Sequence, residues 1–402
     1  MIRSKDEVPL LRAFHRFKIL FNINAEPYSV DSYTIEPKKQ IKNTRQEATT
    51  LNEPLAFGNS FYKLKVNNDG TISISLEEKN LNFENIHFIE IEDDLGDEYN
   101  FVSNHNSKSL LSTDCKWTIR TLEENKFRTR FSMFTYDLPD VDVEVFITCY
   151  QNSKRIDFET KLKNRTKNKR IRLHFPTNLL THYISVDTPF GVLQRARPPV
   201  TWTNYATSQP LYNWIDHNDG NYGLAFSGNG LADYELYENG NGFAVTLIRA
   251  VGKLSSVESH SLINTPAAQC NRKINFSYSL IPHSGNSYDA NIPQEQLKYQ
   301  TKILTNQSHQ KLELPQLFRI LPENILVSSF KIAEDKPNMY VLRLFNPENK
   351  DIKNCRLQLE LKLKNVYVLN LNEEKIDSVK NLKNQITFDI KPYEIITFGL
   401  EI

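Results

Sequence analysis

Lys63-Leu64-Lys65-Val66-Asn67-Asn68-Asp69-Gly70-Thr71-Ile72-Ser73-Ile74-Ser75-Leu76 holds two alternating runs joined by a short polar turn. Successive side chains on a strand point to opposite faces, so a period of two packs one face and wets the other. A polar turn ending in glycine suits the reversal between two such strands. The pattern recurs at Arg155-Ile156-Asp157-Phe158-Glu159 and, as a strict alternation, at Leu357-Gln358-Leu359-Glu360-Leu361-Lys362-Leu363. Asn239-Gly240-Asn241-Gly242 is another turn of the same kind. Aromatic and β-branched residues fill the runs, as a half-buried pleated surface favours. Many short strands joined by turns predict an all-β chain of sandwiches.

Helical signal is scarce. The best candidate starts near Pro293, with Leu297, Thr301 and Leu304 at helical spacing and proline in the first turn. Residues 1–50 read as a short β-rich entry piece, within which Phe17-Lys18-Ile19-Leu20-Phe21 reads as a strand. A sandwich of 50 residues would be marginal by itself, so earlier strands are expected upstream of Met1. Residues 51–290 suffice for one very large sandwich, residues 291–309 form a linker with at most one short helix, and residues 310–402 make a second, smaller sandwich.

The 402 residues carry a formal net charge of +1, which removes one common argument for nucleic-acid binding. No run of about 18 apolar residues exists, so no membrane contact is expected. Met1-Ile2-Arg3-Ser4-Lys5-Asp6-Glu7 lacks the apolar core of a secretory signal. Cys115, Cys149, Cys270 and Cys355 are widely spaced and read as small apolar core residues of a reduced, cytoplasmic protein. The nine histidines are scattered, with no H-E-x-x-H or H-x-H pair. His217-Asn218-Asp219 reads as a polar hairpin tip, because zinc needs three or four converging ligands. Asp93, Asp94, Asp97 and Glu98 form the densest acidic cluster and read as a solvated loop.

An ordered set of motifs resembles one family, glycoside hydrolase family 38. Asn59–Ile72 resembles its "ENxFYKVxVDxDGTI" opening of a large sandwich, and Asp93-Asp94-Leu95-Gly96-Asp97-Glu98-Tyr99-Asn100-Phe101 its "DxGDEYNY" stretch. Asn164–Leu173 is similar to "NxxKDHRLRV", and Tyr278–Gly285 to "YALxPHxG". Leu342-Arg343-Leu344-Phe345-Asn346-Pro347 and Lys391–Phe398 look like its terminal "LRxYNP" and "PFEIxT". The order fits the bacterial α-mannosidase and mannosylglycerate-hydrolase branch.

The resemblance implies that residues 1–50 end a central β domain, that residues 51–290 form a galactose mutarotase-like supersandwich, and that residues 310–402 form a C-terminal β-sandwich. It implies a parent that is a retaining α-mannosidase, with two carboxyl groups at the scissile bond and a zinc ion gripping sugar hydroxyls. Those groups lie in an N-terminal barrel whose "HxHxDxGW" motif has no counterpart in this sequence. No catalytic residue and no metal ligand is therefore expected in this chain, and its partners are the barrel of the same polypeptide, the α-mannoside substrate and, in many relatives, further copies of the chain. By position in the family motif, Tyr99 is the first candidate for the rim of the sugar site, against a core or interface tyrosine. Arg249 is the second, against a structural arginine paired to a carboxylate. Arg195 and Trp202 belong to a long aromatic loop that either lines a glycan groove or docks on the barrel. A free-standing carbohydrate-binding or structural module of the same fold is the alternative function, because fold alone fixes none. An aldose epimerase would need a histidine acid and a carboxylate base facing one sugar, and no such motif surrounds the histidines.

Overall fold

The computed structural model describes residues 19–36, 55–76, 81–197, 207–255, 261–308, 310–379 and 384–402. The opening hairpin belongs to a four-stranded sheet of β1 (Ala56–Gly58), β2 (Lys63–Val66), β3 (Ile72–Leu76) and β4 (Leu81–Ile86), in that spatial order. Leu64 pairs with Ile74 and Val66 with Ile72, so all four face the core together. Gly70 turns the hairpin at φ +80°, and a Cβ there would overlap the Trp117 ring.

The chain enters the large sandwich through His87 and runs on as β5 (Phe88–Asp93), β6 (Leu110–Leu111), β7 (Thr118–Glu124), β8 (Arg128–Thr135), β9 (Val141–Tyr150), β10 (Ile156–Asn164), β11 (Lys169–Pro176), β12 (Tyr183–Thr188) and β13 (Gly191–Ala196). Then follow β14 (Gln209–Pro210), β15 (Trp214–Asn218), β16 (Tyr222–Gly228), β17 (Asp233–Leu236), β18 (Gly242–Ala250), β19 (Lys253–Ser255), β20 (Leu262–Asn264) and β21 (Lys273–Ser284). They form a nine-stranded sheet, β13-β12-β15-β16-β21-β10-β9-β8-β7, and a six-stranded sheet, β14-β17-β18-β11-β5-β6. Val145, Ile147, Phe158, Phe226 and Tyr278 of the first meet Ile91, Leu173, Phe175 and Phe243 of the second in one continuous core. Full burial of each such side chain is worth roughly 1.5–3 kcal/mol.

Helix α1 (Ile292–Gln300) lies on the outward face of the nine-stranded sheet, where Ile292 packs with Trp214, Ala225 and Ile281. It is shorter than the sequence spacing suggested. Thr301 has extended backbone angles and ends it, which leaves Leu304 outside and almost fully exposed. The last strands are β22 (Phe318–Leu321), β23 (Leu326–Ile332), β24 (Met339–Phe345), β25 (Ile352–Leu359), β26 (Asn365–Leu369), β27 (Lys375–Ser378), β28 (Gln385–Ile390) and β29 (Ile395–Glu401). Sheets β22-β25-β28 and β23-β24-β29-β26-β27 close over Phe318, Leu342, Leu357, Ile386 and Phe398. The alternation that runs to Leu363 outlasts its strand, since β25 stops at Leu359 and Glu360 N–H turns to the Leu317 carbonyl.

The all-β, two-sandwich expectation therefore holds. The strand expected at Phe17–Phe21 does not appear at Ile19–Phe21, which have no ladder partner among the described residues; Phe17 and Lys18 lie outside them. Further on, the entry segment runs beside the connector. Val30 and Leu314 exchange backbone hydrogen bonds, Leu317 N–H bonds the Tyr28 carbonyl, and the Tyr28 ring stacks on Phe318 at 4.2 Å.

Candidate functional site

The outward face of the six-stranded sheet carries charge in a fixed order. Arg170-Ile171-Arg172-Leu173-His174 on β11 and Glu90-Ile91-Glu92 on β5 each send the apolar members into the core and the polar members outward. Their register sets Glu92 beside Arg170 and Glu90 beside Arg172. Arg170 Nε donates to Glu92 at 2.7 Å, and Arg172 bridges Glu90 at 2.7 Å and Glu235 of β17 at 2.8 Å. The small Ala244 lies between Glu235 and His174 across β18, which leaves room for that crossing. The pairs are largely buried, with the Arg170 side chain only 3% exposed.

His174 completes the network. Burial holds its pKa below the ordinary value, against the opposing pull of Glu90. Burial would raise Glu90, but the His174 hydrogen bond and the Arg172 charge outweigh it and hold the carboxyl well below its usual range. The two directions agree on one state near neutral pH. Glu90 is ionised, and neutral His174 donates from Nε2 at 2.9 Å while its Nδ1 accepts from the Tyr237 hydroxyl at 2.7 Å. Every charge in this group has a partner, so the group is a scaffold rather than an acid–base pair.

The scaffold supports the loop that carries Tyr99. Phe101 stacks over the Arg170 guanidinium at 3.4 Å. Asp94 and Ser103 pair across the loop base, and the tip Asp97–Asn100 closes through Asp97 Oδ1, which accepts from the N–H groups of Tyr99 at 2.9 Å and Asn100 at 2.8 Å. A Cβ on Gly96 would overlap the Asn100 carbonyl oxygen, so this turn needs glycine. Arg249, at the end of β18, donates from Nε to Asp94 at 2.9 Å and from Nη2 to the Asp97 carbonyl at 2.8 Å. Asp93 is held by Lys169, Asp97 also takes the Ser255 hydroxyl, and Glu98 N–H bonds the Lys253 carbonyl of β19.

Structure thus brings Tyr99 and Arg249 together, with different parts. Arg249 clamps the loop, while Tyr99 stands at its tip with 67% of its surface exposed, beside exposed Leu95 and Val102. The acidic cluster is not the solvated loop expected. Asp94 is buried, and Asp93 and Asp97 are held by cations and hydroxyls from β11, β18 and β19. Arg195 is not in the loop expected: it stands on β13, the edge strand of the nine-stranded sheet, and its Nη1 donates to the Pro210 carbonyl of β14 at 3.1 Å. Trp202 lies outside the described residues. His217 is not at a hairpin tip. It is buried on β15 against Thr177, and the tip is Asp219–Asn221. Among the described residues no three His, Cys, Asp or Glu side chains converge as a metal site, and no helix is long and apolar enough to cross a membrane.

Sequence reading missed the Glu90, Glu92, Arg170, Arg172, Glu235 network. Its signal was present as acid alternation on one strand and base alternation on another. Their adjacency was not, because β5 and β11 lie about 80 residues apart in the chain.

Comparison with known proteins follows the same division. The model of the glycosyl hydrolases family 38 C-terminal domain matches residues 57–269, and that of the family 38 C-terminal beta sandwich domain matches residues 324–398. A curated relative from Halalkalibacterium halodurans, described as "Putative mannosylglycerate hydrolase", is 25% identical over 356 residues, covering 79% of this chain and 38% of the relative. Two solved structures from Enterococcus faecalis share the fold: an alpha-mannosidase (TM-score 0.77, 22% identity, 86% of this chain and 42% of that one) and a protein in glycosyl hydrolase family 38 (TM-score 0.73, 21% identity, 86% and 44%). The chain therefore spans about two fifths of the length of these relatives.

Proposed function

The chain belongs to glycoside hydrolase family 38, of which it carries the C-terminal β domains, and from that premise we propose that it is the all-β part of a zinc-dependent, retaining α-mannosidase. On this reading the nucleophile, the acid and the zinc ligands belong to a catalytic domain outside this sequence, and the present chain builds and caps the rim of the sugar site. The described residues of this chain offer zinc no ligand set.

One observation carries the reading. Tyr99 is an exposed aromatic side chain on a loop that is otherwise tied down at Asp93, Asp94, Asp97 and Glu98. A ring presented on so constrained a loop loses little freedom on contact, can cover the apolar face of a sugar, and can bond a sugar hydroxyl through its own. A second observation supports the partner. Phe21 and Tyr33, whose rings meet edge to face, and Leu312, whose backbone bonds Ser32, leave apolar side chains in solvent on the segments joined by the Val30–Leu314 pairing. We assign that ribbon to contact with the rest of the polypeptide.

The test is direct. Purified chain is incubated with nitrophenyl α-mannoside, with and without added zinc. The expected release of nitrophenol equals the blank. Sustained turnover by this chain alone would place a complete catalytic site within it and refute the reading.

A further inference from the structure

The outward face of the nine-stranded sheet is only partly covered. Helix α1 lies over its centre, and beyond the last turn of the helix strands β8, β9 and β10 stand open. A cleft of about 410 Å³ occupies this step, within the roughly 300–1,000 Å³ of small-ligand clefts. Register fixes its floor. Arg130, Thr148 and Asp157 stand side by side across the three strands, and Phe146 and Glu159 form the next row. Tyr299, from the helix, forms the wall.

The lining divides into held and free groups. Asp157 accepts from Arg155 Nε at 2.7 Å and from the Tyr150 hydroxyl at 2.8 Å. The Arg155 guanidinium lies 5.4 Å from the centre of the Tyr299 ring, which fixes that ring against the floor. Arg130 and Glu159 differ. Both are half-buried, and neither side chain has a hydrogen-bond or ion-pair partner among the described residues.

We propose that this cleft binds carbohydrate, taking a neutral pyranose with its apolar face on Tyr299 and its hydroxyls on Arg130 and Glu159. An unpaired donor on β8 and an unpaired acceptor on β10, diagonally across β9, match a polyol, whose several hydroxyls can accept from one and donate to the other at opposite ends of the ring. An anion would meet the carboxylates of Asp157 and Glu159. An apolar segment would strip water from Arg130 and Glu159 and give nothing back. Arg155 and Asp157 already pair, and Arg130 and Lys302 against Glu159 leave a single net positive charge, too little to select a strongly charged ligand.

Affinity electrophoresis through gels containing α-mannan, dextran or galactan tests the proposal on the chain as it stands. At least one polysaccharide should retard it. Tyr299→Ala should weaken that retardation about tenfold, and Arg130→Gln or Glu159→Gln should weaken it several-fold. Tyr299→Phe keeps the ring and should keep most of the binding, which covers the outcome in which Tyr299→Ala fails to fold. Retardation by none of the three overturns the proposal. So does retardation that survives Tyr299→Ala and Arg130→Gln but disappears in Tyr99→Ala, which would move the ligand to the loop after β5. The proposed rim role of Tyr99 does not depend on this outcome.

Discussion

Arg249 commits its donors to one loop, and its carboxylate partner Asp94 has no solvent access. Removing one partner of a buried charge pair strands the other, at a cost of about 3–5 kcal/mol. Arg249→Ala should therefore lower the unfolding free energy by that amount in urea titration, and Arg249→Ala with Asp94→Asn should recover part of it. An additive double variant would mean that the pair contributes nothing. Asp187 on β12 behaves in the opposite way. Burial raises its carboxyl pKa to about 6 despite a 2.6 Å hydrogen bond from Asn213. A folded pKa above the unfolded 3.8 gives stability that is present below pH 3.8 and lost as pH rises through 6. Asp187→Asn should thus raise the melting temperature at pH 7.5, by the equivalent of roughly 2–3 kcal/mol, and change it little at pH 3.8. An equal effect at both pH values would show that ionisation is not the cause.

At the scale of elements, the 94–103 loop is defined by a residue with no side chain. Gly96 lets the backbone fold back onto the Asn100 carbonyl, and that closure fixes where Tyr99 stands. Gly96→Ala must open the turn, and crowding of this kind costs about 1–3 kcal/mol. A lower melting temperature is expected, and an unchanged one would mean that the turn is looser than its geometry. Much of this element was legible in the sequence. The Asp93–Phe101 motif marked the loop and Tyr99 within it, and the hairpin Lys63–Leu76 was read residue by residue. What held the loop was not legible, because Arg249 lies 155 positions from Asp94 and local periodicity carries no information about that pairing. The misread strand at Ile19–Phe21 failed for a related reason. Alternation states which face would pack but not whether a partner strand is there to pack it.

Across the whole molecule, buried histidines make the sandwich acid-sensitive, His87 and His217 most of all and His174 in the same direction. His87 sits among Phe158, Phe175 and Tyr278 with its pKa lowered by burial to about 3, and His217 is lowered by burial to about 4. Both fall below the unfolded value of 6.5, so the unfolded chain takes up protons first. Stability is full above pH 6.5 and declines as pH falls from 6.5 toward the folded values, by roughly 2 kcal/mol per histidine at pH 5. Asp187 offsets part of this below pH 6. His217→Gln should reduce the slope between pH 7 and 5 in thermal melts without abolishing it, whatever it does to the melting temperature itself, and an unchanged slope would contradict the assignment. On the proposed function, the large sandwich presents Tyr99 to a sugar held mainly by another domain. The decisive measurement is kcat/KM for nitrophenyl α-mannoside in a polypeptide that joins this chain to its catalytic domain, with Tyr99 and with Tyr99→Phe. Loss of one hydrogen bond to a sugar hydroxyl, about 1 kcal/mol, predicts a several-fold fall, and an unchanged value would leave Tyr99 outside the site.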